Sequence, residues 1–165
     1  MGSFKDSKYG DLTGQDISMV SLNLGGKNID SLDGSPSVFR GTFNLNLNDL
    51  ENLKGSPREI YGDAIFSDNM LVSLKGNLKT VIGNLNISDN KLKDFNGDIR
   101  KITGNLFLNN LRSFSSLEEI EIALMQGNII VGGNILTDFG TFKQDSQKIA
   151  DFSKNQRIGI LQKFI

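Results

Sequence analysis

Cysteine, histidine and tryptophan are absent from this chain of 165 residues, and only two prolines and two tyrosines occur. Without cysteine there is neither a disulfide framework nor a thiolate. Without histidine the common zinc ligand sets fall away, and with them the Ser-His-Asp and Cys-His nucleophile systems. No cofactor, metal or catalytic centre is expected. Basic charge is not in surplus either: 18 Lys and Arg face 19 Asp and Glu, for a formal net charge of -1 and a pI near 5.4. A nucleic-acid binder normally carries a basic face that displaces phosphate counterions, so no nucleic-acid partner is expected. Met1 to Asp11 contains no long apolar run, so neither a secretory signal nor a membrane partner is expected, and a cytoplasmic location fits the missing disulfides. What remains is 38% hydrophobic and 22% charged residues, enough for one core and one ordinary domain.

The chain repeats itself. Gly41, Gly62, Gly83 and Gly104 lie 21 residues apart. With each glycine as position one, position three holds Phe43, Ala64, Leu85 and Leu106, and position five holds Leu45, Phe66, Ile87 and Leu108. Position eight holds Asn48, Asn69 and Asn90; position ten holds Leu50, Leu71 and Leu92; position thirteen holds Leu53, Leu74 and Phe95. A divergent first copy precedes Gly41. In the fifth copy Leu111 and Phe114 take the places of Leu92 and Phe95, and a sixth copy reads from Gly127 through Ile129, Val131, Asn134, Leu136 and Phe139. The expectation is six coils of about 21 residues.

Apolar side chains at three and five, with polar ones at two, four and six, carry the period-two signature of a short strand with one buried face. Asparagine at eight turns the chain and can bond backbone groups of the adjacent coil. Leucines at ten and thirteen point inward, glycine at fifteen makes a second bend, and the apolar residue at twenty closes the coil. One such coil buries little. Stacking pairs each strand with the next in a parallel sheet about 4.8 Å apart and joins the leucines into continuous columns. The expected architecture is therefore a repeat solenoid, α/β or mainly β, with a parallel sheet on one face.

Each unit also contains the pattern LxxLxLxxNxL. Ile82, Leu85, Ile87, Asn90 and Leu92 fill all five fixed places; Tyr61, Ala64, Phe66, Asn69 and Leu71 match with a weaker Ala; Arg40, Phe43, Leu45, Asn48 and Leu50 depart at the first. The chain resembles a short leucine-rich repeat protein. The Leu-x-Gly-x-Pro step after Asn-x-Leu is similar to that of small leucine-rich repeat proteins of tailed bacteriophages and some bacteria. The resemblance implies an arc whose strand-lined side binds another protein, with no catalytic residues. It further suggests a phage-encoded inhibitor of a host protein such as an antiviral defence factor, placed in the host cytoplasm. A structural component of a virion or larger complex is the alternative, and a secreted bacterial effector a third. A parallel β-helix is the alternative architecture, since it too uses short coils and asparagine ladders.

A stack of coils exposes its apolar interior at both ends, so caps are expected at residues 1–18 and 141–165, flanking a solenoid at 19–140. Ile149, Phe152, Ile158, Leu161 and Phe164 fall near helical spacing, and Ser153 to Gln156 fits a capping box that starts a second helix.

Outward positions two, four and six form three rows across the sheet, and these are the candidate partner-binding surface: Asn44, Asp63, Ile65, Asn84, Asn86, Asn105, Phe107, Asn109 and Ile130. An outward row should be polar, so Ile65, Phe107 and Ile130 at position four stand out as hot spots. Asp63, Asp68 and Asp89 make this side acidic, whereas Lys75, Lys79, Lys93, Arg100 and Lys101 belong to the later bends. Asp68 and Asp89 recur at one repeat position, which explains them better than paired acid and base chemistry does.

Overall fold

The computed structural model describes residues 2–162, and side chains through residue 159. Within these residues the chain is a β-solenoid, mainly β, with two helices. The strands are β1 (Gly2–Ser3), β2 (Asp16–Asn23), β3 (Ile29–Ser31), β4 (Val38–Asn44), β5 (Glu59–Tyr61), β6 (Ala64–Ile65), β7 (Thr80–Ile82), β8 (Leu85–Asn86), β9 (Lys101–Ile102) and β10 (Leu106–Leu108). Helix α1 (Leu117–Gln126) follows, then β11 (Ile130–Val131), β12 (Ile135–Thr137), β13 (Gly140–Phe142) and helix α2 (Ser146–Gln162). No described helix is long and apolar enough to cross a membrane.

Each coil gives two strands to one sheet, on either side of its position-one glycine. The upstream strands stack as β4, β5, β7, β9 and β11, and the downstream strands as β4, β6, β8, β10 and β12, with every one of these pairings parallel. In β4 the chain runs straight through Gly41, so that single strand carries both limbs. In the next coils the strand breaks at Gly62 and Gly83, where φ is +151°. A β-carbon on Gly62 would be driven into the backbone carbonyl of Gly41, so the close stacking of rungs itself demands glycine there. The upstream strands were not legible as strands, because each is only two or three residues long and buries only the residue at position twenty.

The core is a set of columns running along the stack. Position three buries Leu22, Phe43, Ala64, Leu85, Leu106 and Ile135, and position five buries Leu24, Leu45, Phe66, Ile87 and Leu108. Small Ala64 shares its coil with large Phe66, and both are fully buried. Phe43 stands among Phe4, Phe39 and Phe66 at ring-centroid distances of 6.0, 5.3 and 6.1 Å. Each fully buried Leu or Phe contributes about 1.5 to 3 kcal/mol relative to exposure.

Asn48, Asn69 and Asn90 are buried and form the asparagine ladder that their spacing suggests. The Nδ2 of Asn69 donates to the carbonyl of Leu45 in the preceding coil and to those of Phe66 and Ser67 in its own, while its Oδ1 accepts the Leu50 N–H. Asn90 repeats the arrangement with Phe66, Ile87, Ser88 and the Leu71 N–H.

Four successive rung spacings along Asn23, Asn44, Ile65, Asn86 and Phe107 are 21 residues. The fifth is 29, since Phe107 pairs with Leu136 and Asn105 with Asn134. The expected sixth copy, reading from Gly127, is shifted here: the last turn takes in α1. That helix starts at Ser116, whose hydroxyl accepts the Glu119 N–H, while the Glu119 carboxylate accepts the Ser115 N–H. Ile120, Ala123 and Leu124 enter the core. Leu111 and Phe114 are buried as well, with Phe114 stacked on Phe95 at 5.2 Å and 4°.

At the N-terminal end Phe4 is fully buried, and the N–H groups of Gly2, Lys5 and Leu12 donate to carbonyls of the first coil. At the other end β13 turns back antiparallel on β12. The Gln144 side chain imitates one more strand beside β11: its Oε1 accepts the Val131 N–H and its Nε2 donates to the Ile129 carbonyl. Helix α2 is a single element started by Asp145, which accepts from the Gln147 and Lys148 N–H groups. No second helix begins at Ser153, because nothing interrupts the backbone ahead of it. Ile149 and Phe152 are half-buried and Ile158 is exposed; Phe164 and the side chain of Leu161 lie outside what the structure describes.

Candidate functional site

The downstream limb presents its outward side chains in straight rows. Position four runs Asn23, Asn44, Ile65, Asn86, Phe107, Leu136, each in register with the next. Asn44, Ile65, Asn86, Phe107 and Leu136 are half-buried: they lie on the sheet with one flank open to solvent. Ile130 does not belong to this row. It sits upstream in β11, paired with Lys101 and 48% exposed, because the eight extra residues of the 29-residue turn shift the register of the last copy. Leu136, expected in the core, takes the outward place.

Position two turns out to be structural. The Oδ1 of Asp63 accepts the Asn84 N–H at 2.9 Å, that of Asn84 accepts the Asn105 N–H at 2.7 Å, and that of Asn105 accepts the Asn134 N–H at 2.8 Å. These N–H groups follow the glycine at which the strand breaks, so no ladder carbonyl faces them and a side chain takes its place. It is a second ladder, parallel to that of Asn48, Asn69 and Asn90. Its signal in the sequence was the recurrence of Asp or Asn directly after glycine in coil after coil.

The remaining asparagines are half committed. Asn44 Oδ1 accepts the Asn46 N–H, and Asn86 Oδ1 accepts the Ser88 N–H, both at 3.0 Å. These Asx turns end the strand. Because a backbone N–H can only donate, the amide orientation is fixed: the oxygen turns inward and the Nδ2 faces out. Neither Nδ2 meets an acceptor among the described residues, so the row offers N–H donors beside its apolar members. At position six Ser67 and Ser88 are buried, and the half-buried Asn109 donates its N–H to Ser88 Oγ at 2.9 Å.

The acidic residues beside this face also follow from the repeat. Leu47, Asp68, Asp89 and Asn110 occupy one position in successive coils and all have φ near +55°, a left-handed conformation that Asp and Asn adopt more readily than most residues. Burial raises the pKa of the Asp68 carboxyl, and the neighbouring Asp89 raises it further. Asp89 accepts from Asn110 Nδ2 at 2.6 Å, and Asn110 donates its N–H to Asp138 at 2.8 Å. The column supports turns, and two of its members, Asp89 and Asn110, also line a depression of about 340 Å³ with Lys91, Lys93 and Arg112; no group of three or more acidic side chains among the described residues is arranged to hold a metal ion.

Comparison with protein-family models, with curated proteins and with solved structures finds no match to this chain.

Proposed function

We propose that the chain is a non-enzymatic binding module whose partner, another protein, docks on the downstream strand face. What carries the reading is one row: Ile65, Phe107 and Leu136 stand in register on a rigid sheet, half open to solvent, with Phe107 and Leu136 on adjacent rungs. Interfaces concentrate binding energy in a few clustered aromatic and aliphatic anchors, and a preformed surface spares the entropy of ordering. Asn44 and Asn86 add outward N–H donors that hold a partner's carbonyl or carboxylate oxygens.

The narrower role, inhibition of a host defence factor by a phage-encoded protein, rests on the character of the repeat alone. Both levels are tested by affinity capture from bacterial lysate with the wild-type chain beside Phe107→Asp and Leu136→Asp. A partner recovered by wild type and lost by both variants, with their circular dichroism melts unchanged, is the expected result. Equal recovery by all three chains removes the strand face from consideration, and a captured protein unconnected with defence removes the narrower role.

A further inference from the structure

A second surface lies on the bends at positions fourteen to eighteen. A groove of about 420 Å³ there is lined by Gly55, Ser56, Arg58, Gly76, Asn77 and Lys79, among others. It continues into a depression of about 490 Å³ that shares Gly76, Asn77 and Asp98 and adds Lys54 and Lys75. Two acids line the groove, and both are engaged. Asp33 holds the Lys5 ammonium at 3.1 Å, and Asp98 Oδ2 accepts the Gly76 N–H at 3.3 Å. The four cations are not. Lys54, Arg58, Lys75 and Lys79 are exposed, and none makes an ion pair or a side-chain hydrogen bond among the described residues.

Their placement works against the fold. The Lys79 N–H donates to the Arg58 carbonyl at 2.9 Å, so the two side chains leave adjacent rungs about 4.8 Å apart. Like charges facing one another across paired strands are destabilising. Arg100, next in the same row, is resolved differently: its Nη1 donates to the carbonyls of Gly97, Ile99 and Gly127, the last at the C-terminal end of α1. Within this row the unresolved charge is thus confined to two coils, on a chain whose net charge is -1. A local arrangement that costs stability without an intramolecular return is characteristic of a binding site.

We propose that this groove binds a short acidic protein segment, its carboxylates bridging Arg58 and Lys79 on one side and Lys54 and Lys75 on the other. The extent of the patch selects that occupant. A nucleic acid lays its phosphates along an extended basic track, whereas this patch ends at the engaged Asp33 on one side and the carbonyl-bound Arg100 on the other. The strand face described above plays no part in the proposal.

The test uses the full chain and a fluorescent hexaglutamate peptide, followed by anisotropy at low and at raised salt. Wild type is expected to bind at low salt and to weaken as salt screens the charges. The double variant Arg58→Gln/Lys79→Gln is expected to lose affinity about tenfold or more while its thermal midpoint stays level or rises, because repulsion is relieved. Lys143→Gln/Lys154→Gln, which removes the same charge elsewhere, is expected to bind as wild type does. The proposal is overturned by absence of binding at low salt, by equal affinity of wild type and Arg58→Gln/Lys79→Gln, or by equal weakening in the Lys143→Gln/Lys154→Gln control. Tighter binding of a single-stranded oligonucleotide of matched charge overturns it as well.

Discussion

Substitution at Asn69 tests whether side-chain amides hold the coils together. The side chain is 5% exposed and makes four hydrogen bonds: Nδ2 to the carbonyls of Leu45, Phe66 and Ser67 at 2.9, 3.2 and 3.2 Å, and Oδ1 from the Leu50 N–H at 3.0 Å. The carbonyls keep other donors after truncation, since Leu45 also accepts from Asn48, Phe66 from Asn90 and Ser67 from the Leu47 N–H. The Leu50 N–H has no second acceptor among the described residues. Asn69→Ala therefore strands one buried donor, at about 1 to 3 kcal/mol, and weakens three shared bonds, for a loss of about 2 to 4 kcal/mol in denaturant unfolding.

Asn69→Asp separates this account from a simple packing one. The isosteric carboxylate keeps an acceptor for Leu50 but aims its second oxygen at three carbonyls, so at neutral pH it should cost more than Ala, about 3 to 5 kcal/mol. That environment raises the carboxyl pKa of the folded variant above its unfolded value. Its stability is then full below the unfolded pKa and is lost as pH rises through the folded one. The gap between the Asp and Ala variants should close on acidification, because the protonated acid regains a donor. A loss within about 0.5 kcal/mol for Asn69→Ala, the usual range for surface changes, or an Asp variant no worse than Ala at neutral pH, would refute the reasoning.

Gly62→Ala is expected to lose about 3 kcal/mol or more, summing backbone strain at positive φ and a collision with the Gly41 carbonyl; a thermal melt reads it against Gly159→Ala, where a methyl meets nothing within 4 Å. Asp68→Asn should raise stability at neutral pH, since burial and Asp89 hold the Asp68 carboxyl pKa above its ordinary value. A raised folded pKa means that stability is complete below the unfolded pKa and falls as pH climbs through the folded one, so the benefit of Asn should shrink toward zero as pH drops below the carboxylate range. Melting curves of the two proteins across acidic pH check this, and a difference that does not change with pH would assign the effect to the left-handed backbone alone.

The stacked coils, the columns at positions three and five and the first asparagine ladder were legible because they obey one period with one chemical type per column. The upstream strands were not, since a strand of two or three residues with a single buried member is too short for a measurable alternation. Helix α1 was missed for a different reason. A fixed period invites the reader to continue it, so Ile129 and Val131 were set against Leu106 and Leu108, which sent Ile130 into the outward row and Leu136 into the core. The corrective signal was present: Ser116 and Glu119 match the S-x-x-E pattern of a helix start, and Ile120, Ala123 and Leu124 follow at helical spacing. In the candidate site, Asp63, Asn84 and Asn105 looked like a recognition row because outward polar residues invite that reading, while the missing ladder carbonyl that employs them appears only in three dimensions.

This division of labour narrows where recognition can reside. A side chain whose oxygen replaces a backbone acceptor cannot turn toward a partner without orphaning an N–H, at a cost of about 1 to 3 kcal/mol per rung. Asp63, Asn84 and Asn105 carry that duty along position two, and Asn48, Asn69 and Asn90 along position eight. Side chains without it remain at position four, where Ile65, Phe107 and Leu136 stand, and at positions fourteen and eighteen, where Lys54, Lys75, Arg58 and Lys79 stand. Exchange at those places leaves the ladders intact, so a solenoid of this kind can change partners without changing its fold. The same logic makes Phe107→Asp and Arg58→Gln/Lys79→Gln informative about binding, whereas substitution of Asn84 or Asn105 would report first on the stacking of the coils.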